Sequence, residues 1–223
     1  MNISNKIVTT NDVSTVNNYI KNNNLRKEYG NRSDSLWYKE DCYVKWASCL
    51  MMFDEVKSSS CKVVDLGVGD GPVAHVISNQ GFDVVGVDLS RVNHPYQSLV
   101  VMVLKDAIEF LSDYDDESVD IFLDSCSVTH FNFTSNSNDG WESVFKSVKR
   151  ILKPGGYFLV SSDIRFDEDA KGEFICPEVI VKTAEDCGLT VTSEVEYNRD
   201  DAINRNEGHY GILGVANFCF KKT

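Results

Sequence analysis

Short runs rich in valine and isoleucine alternate with longer amphipathic stretches from Cys61 onward. Five of these runs are predicted strands, at 62–66, 83–88, 99–105, 119–124 and 156–162. Continuous apolar runs of this length, separated by helices, are typical of parallel strands covered on both faces. The pattern predicts an α/β fold with a doubly wound, mostly parallel sheet.

The segments between and after these runs predict the rest of the sheet and its covering helices. Apolar residues recur at helical spacing in 72–81, 141–152 and 177–188, which are predicted helices. Two more strand-like runs, 189–197 and 212–221, bring the predicted sheet to seven strands. The polar stretch 198–211 between them is too long for a tight hairpin, and we expect it to form a lid.

The first sixty residues have a different pattern. Helices are predicted at 13–22 and from Ser35 to about Phe53, where Tyr43, Trp46 and Leu50 lie on one stripe. We therefore expect a helical cap segment at 1–60 and a main domain at 61–223, packed together as one compact unit.

Composition and charge restrict the function. A chain of 223 residues with 42% hydrophobic residues can bury a sizeable core. Its net charge of −12 opposes binding to a phosphate backbone, so nucleic acid is not an expected partner.

No apolar run is long enough for a signal peptide or a membrane span, so we expect a cytoplasmic protein. The seven cysteines include no C-x-x-C pair and are expected to be reduced, with no metal site.

The turn after the first predicted strand contains three glycines, at positions 67, 69 and 71. Open α/β sheets bind ligands outside the carboxyl ends of their strands, so this turn is a candidate ligand seat. The residues fit acidic-x-G-x-G-x-G. The dinucleotide fingerprint would need a small residue where Pro72 stands. A purely structural turn is the alternative interpretation.

This motif resembles the first motif of class I S-adenosylmethionine-dependent methyltransferases of the small-molecule type. The resemblance extends over 63–222 and includes Leu-Lys-Pro-Gly-Gly at 152–156, which is similar to the turn before the fifth strand of that family. It implies a Rossmann-like methyltransferase fold whose last strand is antiparallel. It also implies S-adenosylmethionine as cofactor and S-adenosylhomocysteine as product.

The resemblance implies which residues hold the cofactor. Asp88 ends the second strand, where a carboxylate can accept hydrogen bonds from both ribose hydroxyls. Asp106 matches the acidic residue near the adenine amine, with a helix cap as the alternative. Asp124 is expected beside the amino group of the cofactor. The expected cofactor residues are Asp65, Gly67, Val68, Gly69, Gly71, Asp88, Leu89, Asp106, Ala107, Asp124 and Ser125.

His130 follows the fourth predicted strand and is the candidate general base, because histidine titrates near neutral pH. A histidine that only holds its own loop is the alternative.

Asp163 ends the fifth strand, and with Asp124 it could bind a cationic or hydroxylated acceptor, or a divalent metal. No third metal ligand is identifiable, so none is assigned. The expected acceptor contacts are Tyr38, Asp163, His209 and Tyr210.

The expected activity is methyl transfer to an oxygen or nitrogen of a small molecule such as a sugar, lipid precursor or amine. The chain has Asp-Ser-Cys-Ser at 124–127, where families acting on nucleobase nitrogens carry Asn/Asp-Pro-Pro-aromatic. A nicotinamide-dependent oxidoreductase and a non-catalytic binding module are the alternatives. We expect a monomer or a homodimer.

Overall fold

The structure is a computed structural model that describes residues 3–25, 40–69, 71–90, 99–130, 140–165, 176–206 and 212–223. Its helices are α1 (Thr10–Asn22), α2 (Glu40–Val56), α3 (Val73–Asn79), α4 (Ala107–Ser112), α5 (Gly140–Ile151) and α6 (Pro177–Asp186). Its strands are β1 (Lys6–Ile7), β2 (Lys62–Leu66), β3 (Asp83–Asp88), β4 (Val101–Leu104), β5 (Val119–Ser125), β6 (Leu152–Arg165), β7 (Thr190–Val191), β8 (Asn204–Asn206) and β9 (Ile212–Lys221).

The strands form one mostly parallel sheet in the order β1-β9-β6-β5-β2-β3-β4. Strands β4, β3, β2, β5 and β6 are parallel, and β9 is antiparallel to β6. This arrangement confirms the doubly wound α/β fold and the antiparallel last strand. The chain runs outward from β2 to β4 and then returns to β5 on the other side of β2. The strand order therefore reverses between β2 and β5.

Helices cover both faces of the sheet, which explains why the central strands read as continuous apolar runs. Residues from α1, α2 and α3 pack on one face and include Val16, Leu50 and Ile77. Residues from α4, α5 and α6 pack on the other, where Phe145 lies edge-on to Phe158 and Phe220. In α5 the apolar stripe is fully buried at Val144, Phe145, Val148 and Ile151.

Strand β6 is longer than the predicted strand 156–162 because it incorporates the Pro-Gly turn. The register with β5 shifts between Val119 and Ile121, which pair with Leu152 and Tyr157. The extra residues of β6 form a bulge in which Gly155 has φ +80°. The Pro-Gly turn was predicted correctly, but its residues belong to strand β6 and do not form a separate loop before it.

Within the described residues, the sheet contains a strand in each of the seven predicted runs and two short strands that were not predicted. The predicted strand 189–197 is reduced to Thr190–Val191, and two short strands at 6–7 and 204–206 also pair with β9. Residues 204–206 belong to the segment expected to be a lid, so that part of it is sheet. Strands of two or three residues are too short to show an alternating pattern in the sequence.

Helix α2 packs tightly against the sheet. Ala47, Leu50 and Phe53 are fully buried, in the same cluster as Val63 of β2 and Leu159 of β6. The division of the chain at residue 60 stays a prediction. Among the described helices, none is both long and apolar enough to cross a bilayer.

Candidate active site

A cavity of about 260 Å³ opens at the carboxyl ends of β2, β3 and β5, where the strand order reverses. Open α/β sheets bind their ligands at this point of the fold. The cavity is lined by Gly67, Val87, Asp88, Leu89, Lys105, Asp106, Ala107, Ser125, Cys126, Ser127 and His130.

The glycine turn after β2 is shaped largely by contacts within the protein. Gly67 has φ +67°, and a Cβ at this position would lie 2.5 Å from Oγ of Ser127. The Ser127 hydroxyl donates a 2.7 Å hydrogen bond to the carbonyl of Leu66. Gly67 is therefore required where the loop after β5 crosses the loop after β2, as well as at the cavity wall.

Gly71 has a different neighbour. A Cβ on Gly71 would lie 2.6 Å from Nε1 of Trp46 in α2. Close packing against the indole therefore explains this third glycine, and Gly71 does not line the cavity. The expectation that all three glycines open the turn to a ligand was too simple.

Asp88 lies on the cavity wall at the end of β3 and orders the glycine turn. Its Oδ2 accepts a 2.7 Å hydrogen bond from the Gly69 amide, and its Oδ1 accepts one of 3.0 Å from the Ser90 amide. A carboxylate has about four acceptor sites, so both oxygens retain a lone pair. Asp88 can therefore hold the loop and accept further hydrogen bonds from a ligand.

The far wall of the cavity is formed after β4. Asp106 caps α4, where its Oδ1 accepts hydrogen bonds from the amides of Ile108 and Glu109. The helix-cap interpretation of Asp106 is therefore correct, and the carboxyl group also borders the cavity. Leu89 also lines the cavity and is 61% exposed, so its apolar surface is accessible to a ligand.

Asp65 lies behind the cavity wall and does not line it. Its side chain is buried, and its Oδ1 has no hydrogen-bond partner among the described residues. Burial, together with the neighbouring Asp124, raises the pKa of the Asp65 carboxyl well above its usual range. The carboxyl still has a backbone hydrogen bond with Ala74, but a buried unpaired oxygen directly behind the glycine turn is costly, and a cationic ligand nearby would lower that cost.

Asp124 is used to fold the loop after β5. Its Oδ1 accepts hydrogen bonds from the amides of Ser127 and Val128, and its Oδ2 lies 2.5 Å from the Ser127 hydroxyl oxygen. These bonds cap the short 3-10 helix Val128–His130. Burial raises the pKa of Asp124 to about 6, although these hydrogen bonds lower it. Asp124 is fully buried and does not line the cavity.

His130 is exposed at the cavity, with its backbone amide bonded to the carbonyl of Ser127. The general-base role of His130 stays a prediction. Cys126 lies on the same wall and has φ +85°, which is rare for a residue with a side chain.

A buried ion pair adjoins this wall. Lys45 Nζ of α2 lies 2.8 Å from Oδ2 of Asp163 and 3.1 Å from Sγ of Cys126. The pair is almost fully buried, with side-chain exposures of 4% and 5%. Asp163 was predicted from the sequence as a site residue, whereas Lys45 was not. The sequence feature that could have indicated a buried role for Lys45 is its position in a largely apolar helix, at helical spacing from Cys42 and Cys49.

The structure brings most of the predicted site residues to one edge of the sheet. Those that line the cavity are Gly67, Asp88, Leu89, Asp106, Ala107, Ser125 and His130. Those that lie beside or behind it are Asp65, Val68, Gly69, Gly71, Asp124 and Asp163. Tyr38, His209 and Tyr210 fall outside the described residues. Val87, Lys105, Cys126 and Ser127 also line the cavity and were not predicted.

Comparison with known proteins assigns the family. A family model described as a methyltransferase domain matches residues 38–191, well over half of the chain. This chain belongs to the methyltransferase-domain family. The motifs around the glycine turn predicted this family, with S-adenosylmethionine as its cofactor.

One relative supports the family from sequence. YqeM of Bacillus subtilis (strain 168), which is named as a methyltransferase, is 30% identical to this methyltransferase over 106 residues. The alignment covers 44% of this chain and 40% of YqeM, so the match spans about two fifths of the relative's length.

Solved structures support the fold. The 1,6-didemethyltoxoflavin-N1-methyltransferase of Burkholderia thailandensis, solved with S-adenosylhomocysteine, has a TM-score of 0.59 at 15% identity and covers 97% of this chain and 92% of its own. A TehB-like S-adenosylmethionine-dependent methyltransferase of Corynebacterium glutamicum has a TM-score of 0.55 at 18% identity and covers 92% and 98%. At these identities the similarity concerns the fold alone.

Proposed function

We propose that this methyltransferase binds S-adenosylmethionine in the cavity at the switch point and transfers the methyl group to an oxygen or nitrogen of a small molecule. The position of Asp88 carries the proposal. Its carboxylate borders the cavity, is held by the amides of Gly69 and Ser90, and retains acceptor sites for two ribose hydroxyls.

The remaining cavity residues suit an adenosyl group. Leu89 offers an apolar surface against which an adenine ring can pack, and Ala107 leaves room beside the Asp106 carboxyl. The volume of about 260 Å³ suits a compact ligand rather than a polymer. We therefore assign the cofactor to the β3 and β4 side of the cavity.

The acceptor belongs on the opposite side, at the end of β5. S-adenosylmethionine supplies an electrophilic methyl group on its sulfonium, and the task of the protein is to hold the acceptor in line with it. His130 is the residue that can take the proton of an acceptor hydroxyl or ammonium. Asp163 remains a proposed acceptor-side residue, although its Oδ2 already contacts Lys45.

Two observations favour a small neutral or cationic acceptor. The cavity wall carries the carboxyl groups of Asp88 and Asp106, and the chain has a net charge of −12. A negative field disfavours nucleic acid and other polyanions as acceptors.

The first experiment is calorimetric titration of the purified protein with S-adenosylmethionine, S-adenosylhomocysteine and NAD in parallel. We expect micromolar binding of the first two and no binding of NAD. Binding of NAD alone would overturn the cofactor assignment.

The second experiment tests the transfer. The protein is incubated with S-adenosylmethionine carrying a labelled methyl group and with fractionated small-molecule extracts, and the label is followed into products. We expect a labelled small molecule that requires the protein. Cofactor binding without transfer to any fraction would favour a non-catalytic binding module.

A further inference from the structure

A three-residue cluster borders the acceptor side of the cavity, and two of its members have no role in the chemistry proposed above. It consists of Lys45 of α2, Asp163 of β6 and Cys126 of the loop after β5. Lys45 Nζ lies 2.8 Å from Asp163 Oδ2, and Cys126 Sγ lies 3.1 Å from both groups. Of the three, Cys126 lines the cavity, and the ion pair lies behind it.

The backbone at Cys126 must be held in place by its surroundings. A φ of +85° is disfavoured for any residue that has a Cβ, and it persists only where other contacts compensate. The Asp124 cap fixes Ser127, on the C-terminal side of this turn. The contacts of the thiol with Lys45 and Asp163 fix the side chain of Cys126 itself.

We propose that Lys45 and Asp163 are positioning residues that hold the Cys126 thiol as a protonated hydrogen-bond donor and thereby fix the cavity wall from Ser125 to Ser127. In this arrangement the ammonium of Lys45 donates to Sγ, and the thiol donates its hydrogen to Oδ2 of Asp163. Helix α2 then contributes to the cavity through a side chain that never touches a ligand. The positioning role rests on the proposed function, whereas the state of the thiol does not.

The electrostatics of the cluster agree with this assignment. Burial raises the pKa of the Cys126 thiol to about 12, although the Lys45 ammonium lowers it. Burial alone would lower the pKa of Lys45, but the contact with the Asp163 carboxylate raises it above its ordinary value. These directions favour an ammonium on Lys45 and a neutral thiol on Cys126 at neutral pH.

The protonated thiol also has a chemical consequence. A thiolate is a strong nucleophile, and Cys126 lies on the wall of a cavity assigned to a methylating cofactor. The Asp163 carboxylate opposes the formation of that thiolate beside the Lys45 ammonium. Without Asp163, the ammonium would act on the thiol alone and favour its ionisation.

The test is the pH profile of Cys126 alkylation by iodoacetamide, resolved by peptide mass spectrometry in the folded protein. The half-buried Cys187 lies in the same chain outside the cluster and serves as the internal control. In the wild type we expect Cys126 to react with a midpoint at least about one pH unit above that of an ordinary thiol. A wild-type midpoint at the ordinary value would overturn the proposal.

The variant Asp163→Asn separates the two partners. Removal of the carboxylate should increase the alkylation rate of Cys126 at a fixed pH by about tenfold or more, with no change at Cys187. An unchanged rate at Cys126 in a folded variant would contradict the proposed hydrogen bond. If Asp163→Asn does not fold, the wild-type profile above still decides between the two outcomes.

The positioning role is tested by a double-mutant cycle on S-adenosylhomocysteine affinity. Lys45→Met should weaken binding about tenfold in the wild-type background and by much less in the Cys126→Gly background, because glycine tolerates the left-handed backbone without the thiol. Equal losses in both backgrounds would show that Lys45 acts only on general stability. If the wild type does not bind S-adenosylhomocysteine, the proposed function fails, and the alkylation profile still tests the state of the thiol.

Discussion

At the scale of single residues, Asp88 has two roles that a substitution removes together. Its carboxylate orders the glycine turn through the Gly69 amide and faces the cavity with its remaining lone pairs. Hydrogen bonds to a charged group are worth about 1.5–3 kcal/mol, so Asp88→Ala should raise the Kd of S-adenosylhomocysteine about ten- to a hundredfold. Asp186→Ala, on the exposed end of α6, is the matched control in the same calorimetric titration. An unchanged Kd for Asp88→Ala would remove this residue from the site.

His130 is predicted to act on the acceptor rather than on the cofactor. Its side chain is exposed at the cavity, and the short helix that carries it is capped independently by Asp124. His130→Ala should therefore lower turnover of the identified acceptor about a hundredfold or more while leaving S-adenosylhomocysteine affinity within about twofold. Both values come from kinetics and titration of one preparation. A variant with lower thermal stability and normal turnover would support the loop-holding role instead.

The buried carboxyl of Asp124 gives stability a pH dependence of definite sign. Its pKa is raised from 3.8 to about 6 in the folded protein. Between these values the folded chain binds more protons than the unfolded chain, so this group makes the free energy of unfolding fall as pH rises. From about pH 5 to about pH 7.5 the loss from Asp124 is about 1.4 kcal/mol.

The check is urea unfolding of the wild type and Asp124→Asn at both pH values. The amide oxygen can still accept the amides of Ser127 and Val128, so the variant should fold and should lose about 1.4 kcal/mol less stability than the wild type over this interval. Parallel pH profiles for the two proteins would mean that Asp124 does not titrate in this range.

Site residues differed in how far the sequence could predict them. Asp88 and Gly67 lie at fixed positions relative to the ends of strands, so the strand pattern led to them. Asp124 looked equally well placed, but its carboxyl turns inward and caps the short 3-10 helix Val128–His130. Lys45 could not be found, because its role depends on a contact with Asp163, 118 positions away in sequence.

At the scale of elements, the buried Asn5 adds side-chain hydrogen bonds to the backbone pairing between the N-terminal strand β1 and β9. Asn5 has φ +54°, its Nδ2 donates to the hydroxyls of Thr192 and Ser193, and its Oδ1 accepts from the Cys219 amide. Asn5→Ala removes these bonds and should lower the free energy of unfolding by about 2–4 kcal/mol.

Urea unfolding of Asn5→Ala beside Asn23→Ala measures this effect. Asn23 is exposed at the end of α1, and its substitution should change stability by about 0.5 kcal/mol or less. Asn5→Gly should be somewhat more stable than Asn5→Ala, because glycine adopts a positive φ without strain. Similar stabilities for Asn5→Ala and Asn23→Ala would show that β1 does not contribute to the fold.

The sequence predicted the long elements and missed the short ones for a physical reason. The central strands are buried on both faces, and their apolar runs are recognisable without any partner. Strands β1, β7 and β8 exist only because β9 offers backbone groups for pairing. Their two or three residues carry no periodic pattern of their own.

At the scale of the whole molecule, residues 1–60 and the sheet share one hydrophobic core. Leu50 and Phe53 of α2 are fully buried against the face formed by Val63, Leu123 and Leu159. A chain that begins at residue 61 would expose this face to water, and large exposed apolar patches promote aggregation. We expect the truncated chain to be insoluble, or to bind a hydrophobic dye and lack a cooperative unfolding transition.

The full-length chain with the same purification tag is the control for that truncation. A soluble truncated chain that unfolds cooperatively would show that residues 1–60 are a separable unit. In that case the contact of Lys45 with the site would be an interdomain contact.

The packing of Trp46 against Gly71 places a natural fluorophore directly beside the third glycine of the glycine turn. Indole emission responds to the polarity and rigidity of its surroundings. A ligand that rearranges the turn would therefore change the emission of Trp46 without any added dye. The intrinsic fluorescence of Trp46 would then report ligand binding, so that association could be measured by stopped flow on the unmodified protein.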